Sequence, residues 1–253
     1  MIHETAIVSK NAKIGNNVKI GPNCVISDDV IIGDNCEIAN GVIIDNGARI
    51  ANNVRIFSYA SISTEPQDLK YAGEKTEVYI GENTVIREFA TINRATTHSW
   101  KTIVGKNCLI MTYCHIAHDC VVGDNVIMSN ATQLGGHVNI EDWVILGGVT
   151  KVHQFCSVGK HSMVGADVKI VKDVPPFTLV GRNPAQLEGI NKVGLRRRGF
   201  SEEVVKAIDR FYFDLVFSGK ANKDVLASYN DSKHTEIQDC VKFIRESKRG
   251  IHR

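Results

Sequence analysis

Aromatic side chains are scarce in this chain: they make up 7% of its 253 residues, although hydrophobic residues reach 43%. Any core must therefore be built from small aliphatic side chains. An excess of one charge is also missing. Thirty basic residues against 28 acidic ones leave a formal net charge of +2, which excludes the field-driven attraction of a general nucleic-acid binder. No uninterrupted apolar run approaches the roughly 18 residues that a membrane-spanning helix needs. The start, Met1-Ile2-His3-Glu4-Thr5, lacks the basic-then-apolar pattern of a signal peptide. The seven cysteines are an odd number and lack the spacing of a disulfide framework. A reduced compartment, the cytoplasm, is the expected location.

What the chain does have is a repeat. Every sixth residue from Ile2 is aliphatic through Ile62, the phase returns at Ile80, Ile86 and Ile92, and it runs again from Val104 to Ile170. Of the 29 such slots, 26 hold Ile, Val, Leu or Met; the exceptions are Asp68, Glu74 and His98. Those three fall in two stretches that read as loops, 63–79 and 94–102. A helix would need a period of 3.6 and a hairpin array a period of 2, so a strict six indicates a hexapeptide β-helix. Four residues after each aliphatic slot comes a small or β-branched residue, as at Ala12, Val18, Cys24, Val30 and Cys36. Six of the seven cysteines share that slot, which makes them inward-pointing filler rather than metal or redox groups. Gly follows the aliphatic residue at 15, 21, 33, 81, 105 and 123, where backbone freedom is expected to serve a tight corner. No glycine-rich phosphate loop is present, because the glycines follow the repeat.

The repeat stops near Asp173-Val174-Pro175-Pro176, where prolines cannot continue a ladder. Ser201-Glu202-Glu203 then reads as the capped start of an amphipathic helix with Val204, Ile208, Phe211 and Leu215 on its apolar face. Ile237, Val241 and Ile244 mark another. The expected organisation is a β-helix over 1–185 and a small helical domain over 186–253.

The periodicity resembles that of the hexapeptide acyltransferases, in which three hexapeptides form one triangular, left-handed coil of 18 residues. On that count His118, Gly136 and Gln154 lie in one column, one coil apart, with His137 and His153 beside it and His115 close by. Two coil spacings are about 10 Å. Three readings of this cluster stand side by side. His118 suits a general base, oriented by Asp119. His115, His118 and His137 offer three nitrogens to zinc. Or the group is simply a polar subunit interface. The run Arg196-Arg197-Arg198 either aids solubility or recognises phosphate.

The segments QDLKYAGE (67–74), HIAHDC (115–120), GGH (135–137), VHQF (152–155), DVPP (173–176) and RRGFS (197–201) resemble the UDP-N-acetylglucosamine O-acyltransferase family, in its order and over almost the whole chain. The resemblance implies transfer of an (R)-3-hydroxyacyl group from acyl carrier protein to the 3-hydroxyl of UDP-GlcNAc, the first step of lipid A synthesis. His118 would be the base, Asp119 its orienting partner and Gly136 a backbone donor to the oxyanion. Gln67, Asp68 and Lys70 would reach the sugar from the long loop, and His115 and His137 would line its pocket. His153 and Gln154 would meet the acyl donor. Asn191 and Arg198 match nucleotide-binding positions, and Arg197 would meet the diphosphate or the carrier's prosthetic arm. The resemblance further implies a homotrimer with active sites between subunits, no metal and no bound cofactor. Two positions depart from the pattern. Val193 stands where many members have Glu, and Ala166 where Gly admits a longer acyl chain. A related transfer to a 3-amino sugar fits the same motifs.

Overall fold

A computed structural model describes residues 1–219 and 221–253. The six-residue pattern becomes two-residue strands joined by corners, such as Val121–Val122 and Ile127–Met128. Each strand turns its second, aliphatic residue inward: Ile26, Ile44, Ile62, Ile92, Ile116 and Leu134 are all buried. Burying one such side chain is worth about 1.5–3 kcal/mol. The small residues at the other inward slot, Cys24, Val42, Ala60 and Cys114, complete the same core. A strand of two residues has almost no pairing of its own, so its stability comes from stacking. Most pair in parallel with the strand 18 residues on, as in Ile7↔Val25 and Ile116↔Leu134. Three sheets of nine, eight and ten strands result. They form the three faces of a left-handed β-helical prism. The first face carries Ile7–Val8 through Lys169–Ile170, the second Lys13–Ile14 through Ser157–Val158, and the third begins at Lys19–Ile20.

The corners differ from the sequence reading. The glycines at 15, 21, 33, 81, 105 and 123 have ordinary negative φ, so backbone freedom is not their purpose. They are required for space: a Cβ on Gly81 would lie 2.5 Å from the Gly105 carbonyl carbon of the next coil. The left-handed residue comes two positions later. Asn fills it at 17, 23, 35, 53, 83, 107 and 125, with φ between 56° and 59°, and Asn tolerates this conformation better than most residues. Because that position recurs once per coil on each edge, side chains placed there stack. Asn17 donates to Asn35 at 3.2 Å, and the rings of Tyr59, Phe89 and Tyr113 lie parallel at 5.3 and 5.1 Å.

The ladder continues across both loops. Ser61 pairs with Thr91 and Thr91 with His115, spacings of 30 and 24 rather than 18. Twelve and then six extra residues leave the same edge, between the first and second faces, and the coil resumes in phase.

At the C-terminal end, Gln186–Ile190 pairs antiparallel with Thr178–Gly181 and finishes the third sheet. Residues 186–190 therefore extend the prism, and the helices begin at α1 (Lys192–Arg197). α2 (Glu202–Phe217) is capped by the Ser201 hydroxyl, which accepts from the Val204 N–H. It buries Val205, Ile208, Phe211, Tyr212 and Leu215, while Val204 lies at the margin. α3 (Asn222–Ser228) and α4 (Thr235–Glu246) complete a second core with Phe177. The Tyr212 hydroxyl donates to the Pro176 carbonyl at 2.7 Å, tying this cap to the last coil.

Candidate active site

The corner Ala117–Cys120 lies on the edge that also releases both loops. Asp119 takes its left-handed position with φ 61°, followed one coil up by His137 (φ 62°) and two coils up by Phe155 (φ 64°). His118 Nδ1 and Asp119 Oδ2 are 2.7 Å apart. The carboxylate accepts, so Nδ1 carries a proton, and in the neutral imidazole the lone pair lies on Nε2. Gly136 lies directly above this ring: a Cβ there would come within 2.7 Å of His118 Cε1 and 2.8 Å of Nε2. Its missing side chain opens the space beside the basic nitrogen. Among the described residues the Gly136 N–H has no backbone acceptor, while its carbonyl accepts from the Phe155 N–H.

Asp119 is fully buried at its side chain. Burial would raise its pKa, but hydrogen bonds from His118, Ser99 and Thr96 together outweigh it and hold the carboxyl well below its usual range. The partner thus stays an anion. His137 stacks on Phe155 at 4.4 Å and meets the His118 ring edge-on at 5.1 Å. Burial lowers its pKa against the pull of Asp119, and Asp68 of the long loop is close enough to act on it as well. Its Nδ1 is buried without a hydrogen-bond partner among the described residues. His115 bonds Thr91 Oγ1 through Nδ1 at 2.7 Å, and burial, then His118, lower its pKa. His153 and Gln154 are exposed on the next corner of the same edge, and Gln67 and Lys70 are exposed on the long loop.

Two participants escaped the sequence reading. His98, on the shorter loop, touches the His137 ring at 4.5 Å, and Phe155 carries the stack. The signal available was a histidine inside an interruption of the repeat. Metal-binding geometry also differs from the expected histidine trio: ligand atoms of His118, Asp119 and His137 lie within 4.8 Å of one another, and His115 is not among them.

The expected nucleotide residues lie elsewhere. Asn191 caps α1, accepting from the Gly194 N–H and donating to the His161 carbonyl at 2.9 Å. The Arg198 guanidinium lies 5.3 Å over Trp143, with Nη1 3.5 Å from His161 Nδ1. Trp143 and His161 occupy corners between the second and third faces, a different edge from His118. Arg197 and Val193 are exposed on α1, and Ala166 is exposed on the remaining edge, after Met163–Val164 of the third face. A single chain therefore gathers His118, Asp119, Gly136, His137 and Asp68, but leaves Asn191, Arg198 and Ala166 on other edges.

Residues 173–252 match the family model for Udp N-acetylglucosamine O-acyltransferase, domain 2, and 11–46 and 101–136 match the bacterial transferase hexapeptide repeat. The chain is 46% identical to an acyl-[acyl-carrier-protein]–UDP-N-acetylglucosamine O-acyltransferase from Thiobacillus denitrificans, covering 100% of this chain and 99% of the relative. A protein of the same description from Herminiimonas arsenicoxydans is 44% identical over 100% and 99%. Among solved structures, the UDP-N-acetylglucosamine acyltransferase of Francisella novicida superposes with a TM-score of 0.98 at 41% identity, covering 100% and 94%. That of Bacteroides fragilis gives 0.97 at 42% identity and full coverage of both chains.

Proposed function

Since the chain belongs to the UDP-N-acetylglucosamine O-acyltransferase family, we propose that it moves an (R)-3-hydroxyacyl group from acyl carrier protein to the 3-hydroxyl of UDP-GlcNAc, opening lipid A synthesis. The observation that carries the mechanism is the 2.7 Å His118–Asp119 pair with an unblocked Nε2 beneath Gly136. His118 Nε2 takes the proton of the sugar hydroxyl as its oxygen attacks the thioester carbonyl. The Gly136 N–H faces the oxygen on which negative charge develops. As the intermediate collapses, the C–S bond breaks and the carrier thiolate takes the proton back from His118. Ionised Asp119 stabilises the imidazolium between the two transfers. Gln67, Asp68, Lys70, His115 and His137 hold the sugar, and His153 and Gln154 meet the acyl donor. Asn191, Arg197 and Arg198 hold the nucleotide, and Ala166 limits the acyl chain.

The separation of these groups onto different edges supports a homotrimer in which each site joins two subunits. No described helix is long and apolar enough to cross a membrane, in keeping with a cytoplasmic enzyme using a soluble carrier. The reaction needs neither metal nor bound cofactor. The close approach of His118, Asp119 and His137 favours one competing reading, a zinc site. Against it, both Asp119 oxygens already accept hydrogen bonds from Thr96 and Ser99.

Incubation with UDP-GlcNAc and 3-hydroxyacyl carrier proteins of several lengths is the test. The expected product is an acylated UDP-sugar, indifferent to chelator and reduced roughly 10²–10⁴-fold by His118→Ala. A folded protein that acylates neither this sugar nor its 3-amino analogue, or one that chelator silences, refutes the reading.

A further inference from the structure

The shorter loop arises from the coil directly beneath His118, and it aims the N–H and hydroxyl groups of Thr96 and Ser99 at one carboxylate. The Thr96 N–H lies 3.2 Å from both Asp119 oxygens, and the Thr96 hydroxyl donates to Oδ2 at 2.8 Å. The Ser99 N–H and hydroxyl reach Oδ1 at 3.1 and 2.5 Å. From the strand that ends the loop, Thr102 Oγ1 accepts from the Asp119 N–H at 2.9 Å. These groups leave Asp119 little freedom of rotation, and Oδ2 is fixed toward His118.

The arrangement exceeds what stability requires. A buried carboxylate needs its hydrogen bonds satisfied, but a corner of this prism has no need of a buried carboxylate. The equivalent left-handed position is Asn on many other corners, Trp at 143 and Ala at 131. A further contact of the loop, His98 against His137, also lies within the site.

We propose that Thr96 and Ser99 are positioning residues for the acyl transfer, acting through Asp119 to fix the tautomer, orientation and basicity of His118. The six-residue insertion is then part of the catalytic device. This inference rests on His118 being the base. The four donors withdraw negative charge from Asp119 and so moderate its hold on the imidazolium. Without the two hydroxyls the carboxylate turns more freely and, while it faces His118, favours the protonated imidazole more strongly.

The test compares Thr96→Val/Ser99→Ala, Thr96→Ser and His118→Ala with the parent protein, in full pH profiles of kcat and KM for both substrates. In the double variant we expect kcat to fall about tenfold or more. KM should stay within about threefold, and the acid limb of kcat should move up by about half a pH unit or more. Thr96→Ser, which keeps a hydroxyl, should recover most of the rate. Melting curves of the same samples confirm that each variant is folded. An unchanged kcat, a loss confined to KM, or an unmoved acid limb overturns the proposal. If the parent is active, His118→Ala is inactive and the double variant behaves as the parent does, only the loop's role fails. If the parent transfers no acyl group, it is the underlying reading that fails.

Discussion

His161 shows how a single residue joins packing to pH dependence. Its ring lies parallel to those of Trp143 at 6.1 Å and Phe177 at 5.5 Å, with Phe200 edge-on. Burial, then Arg198 and Lys160, push its pKa from 6.5 to about 4. The unfolded chain therefore binds a proton that the folded chain refuses, and stability falls as pH drops from about 6.5 toward 4. His161→Phe keeps the stack and removes the titration. We expect its melting temperature to lose fewer degrees between pH 7 and pH 5 than the parent's; equal losses would contradict the assignment. At this scale the sequence was only partly legible. Counting by 18 placed Gly136 over His118, because a rigid ladder transmits register without error. The same count misses His98, whose loop lies outside the ladder. It also does not reveal Thr96 and Ser99, because hydroxyls aimed at a carboxylate leave no periodic trace.

Among the elements, the corner carries more information than the strand. Strands of two residues are interchangeable layers, and their six-residue spacing was legible because the core demands an aliphatic side chain at each one. The insertions add twelve and six residues, so the phase survives them, and the sequence alone does not distinguish a detour at one edge from a missing coil. The corner glycines were legible in position but not in purpose, since close approach between coils is a three-dimensional fact. Gly81 tests the corrected purpose. An added Cβ would meet Gly105 C at 2.5 Å, Lys106 N at 2.6 Å and Gly105 O at 2.7 Å, all backbone atoms that cannot rotate away. Gly81→Ala should therefore destabilise the prism by about 1–3 kcal/mol, as overpacking does. It lies three coils below Trp143 along its edge and on a different edge from His118, so specific activity of the folded fraction should be unchanged. A melting curve and an activity assay on the same sample separate the two effects. Intact stability would mean the coils can spread at this corner.

For the whole molecule, the decisive feature is that a prism presents three edges and the residues proposed for the reaction occupy more than one of them. His118 and Asp119 lie on the edge between the first and second faces, while Trp143, His161 and Arg198 lie between the second and third. A rigid triangular coil cannot fold one edge onto another. On the roles proposed for His118 and Arg198, one substrate spanning both sets lies between two molecules, the base of one meeting the nucleotide residues of the next. In a closed ring of three, each interface is then a complete site. That arrangement makes a prediction that a site within one chain cannot imitate. His118→Ala and Arg198→Ala subunits should each form trimers of low activity. Unfolded together in equal amounts and reassembled, they produce some interfaces pairing an intact His118 with an intact Arg198. With random assortment about one quarter of interfaces qualify, the product of two even chances. Activity should rise to about a quarter of the parent's after reassembly, and not on simple mixing of preformed trimers. Recovery near zero in well-folded mixed trimers would place both residues in a site belonging to one chain.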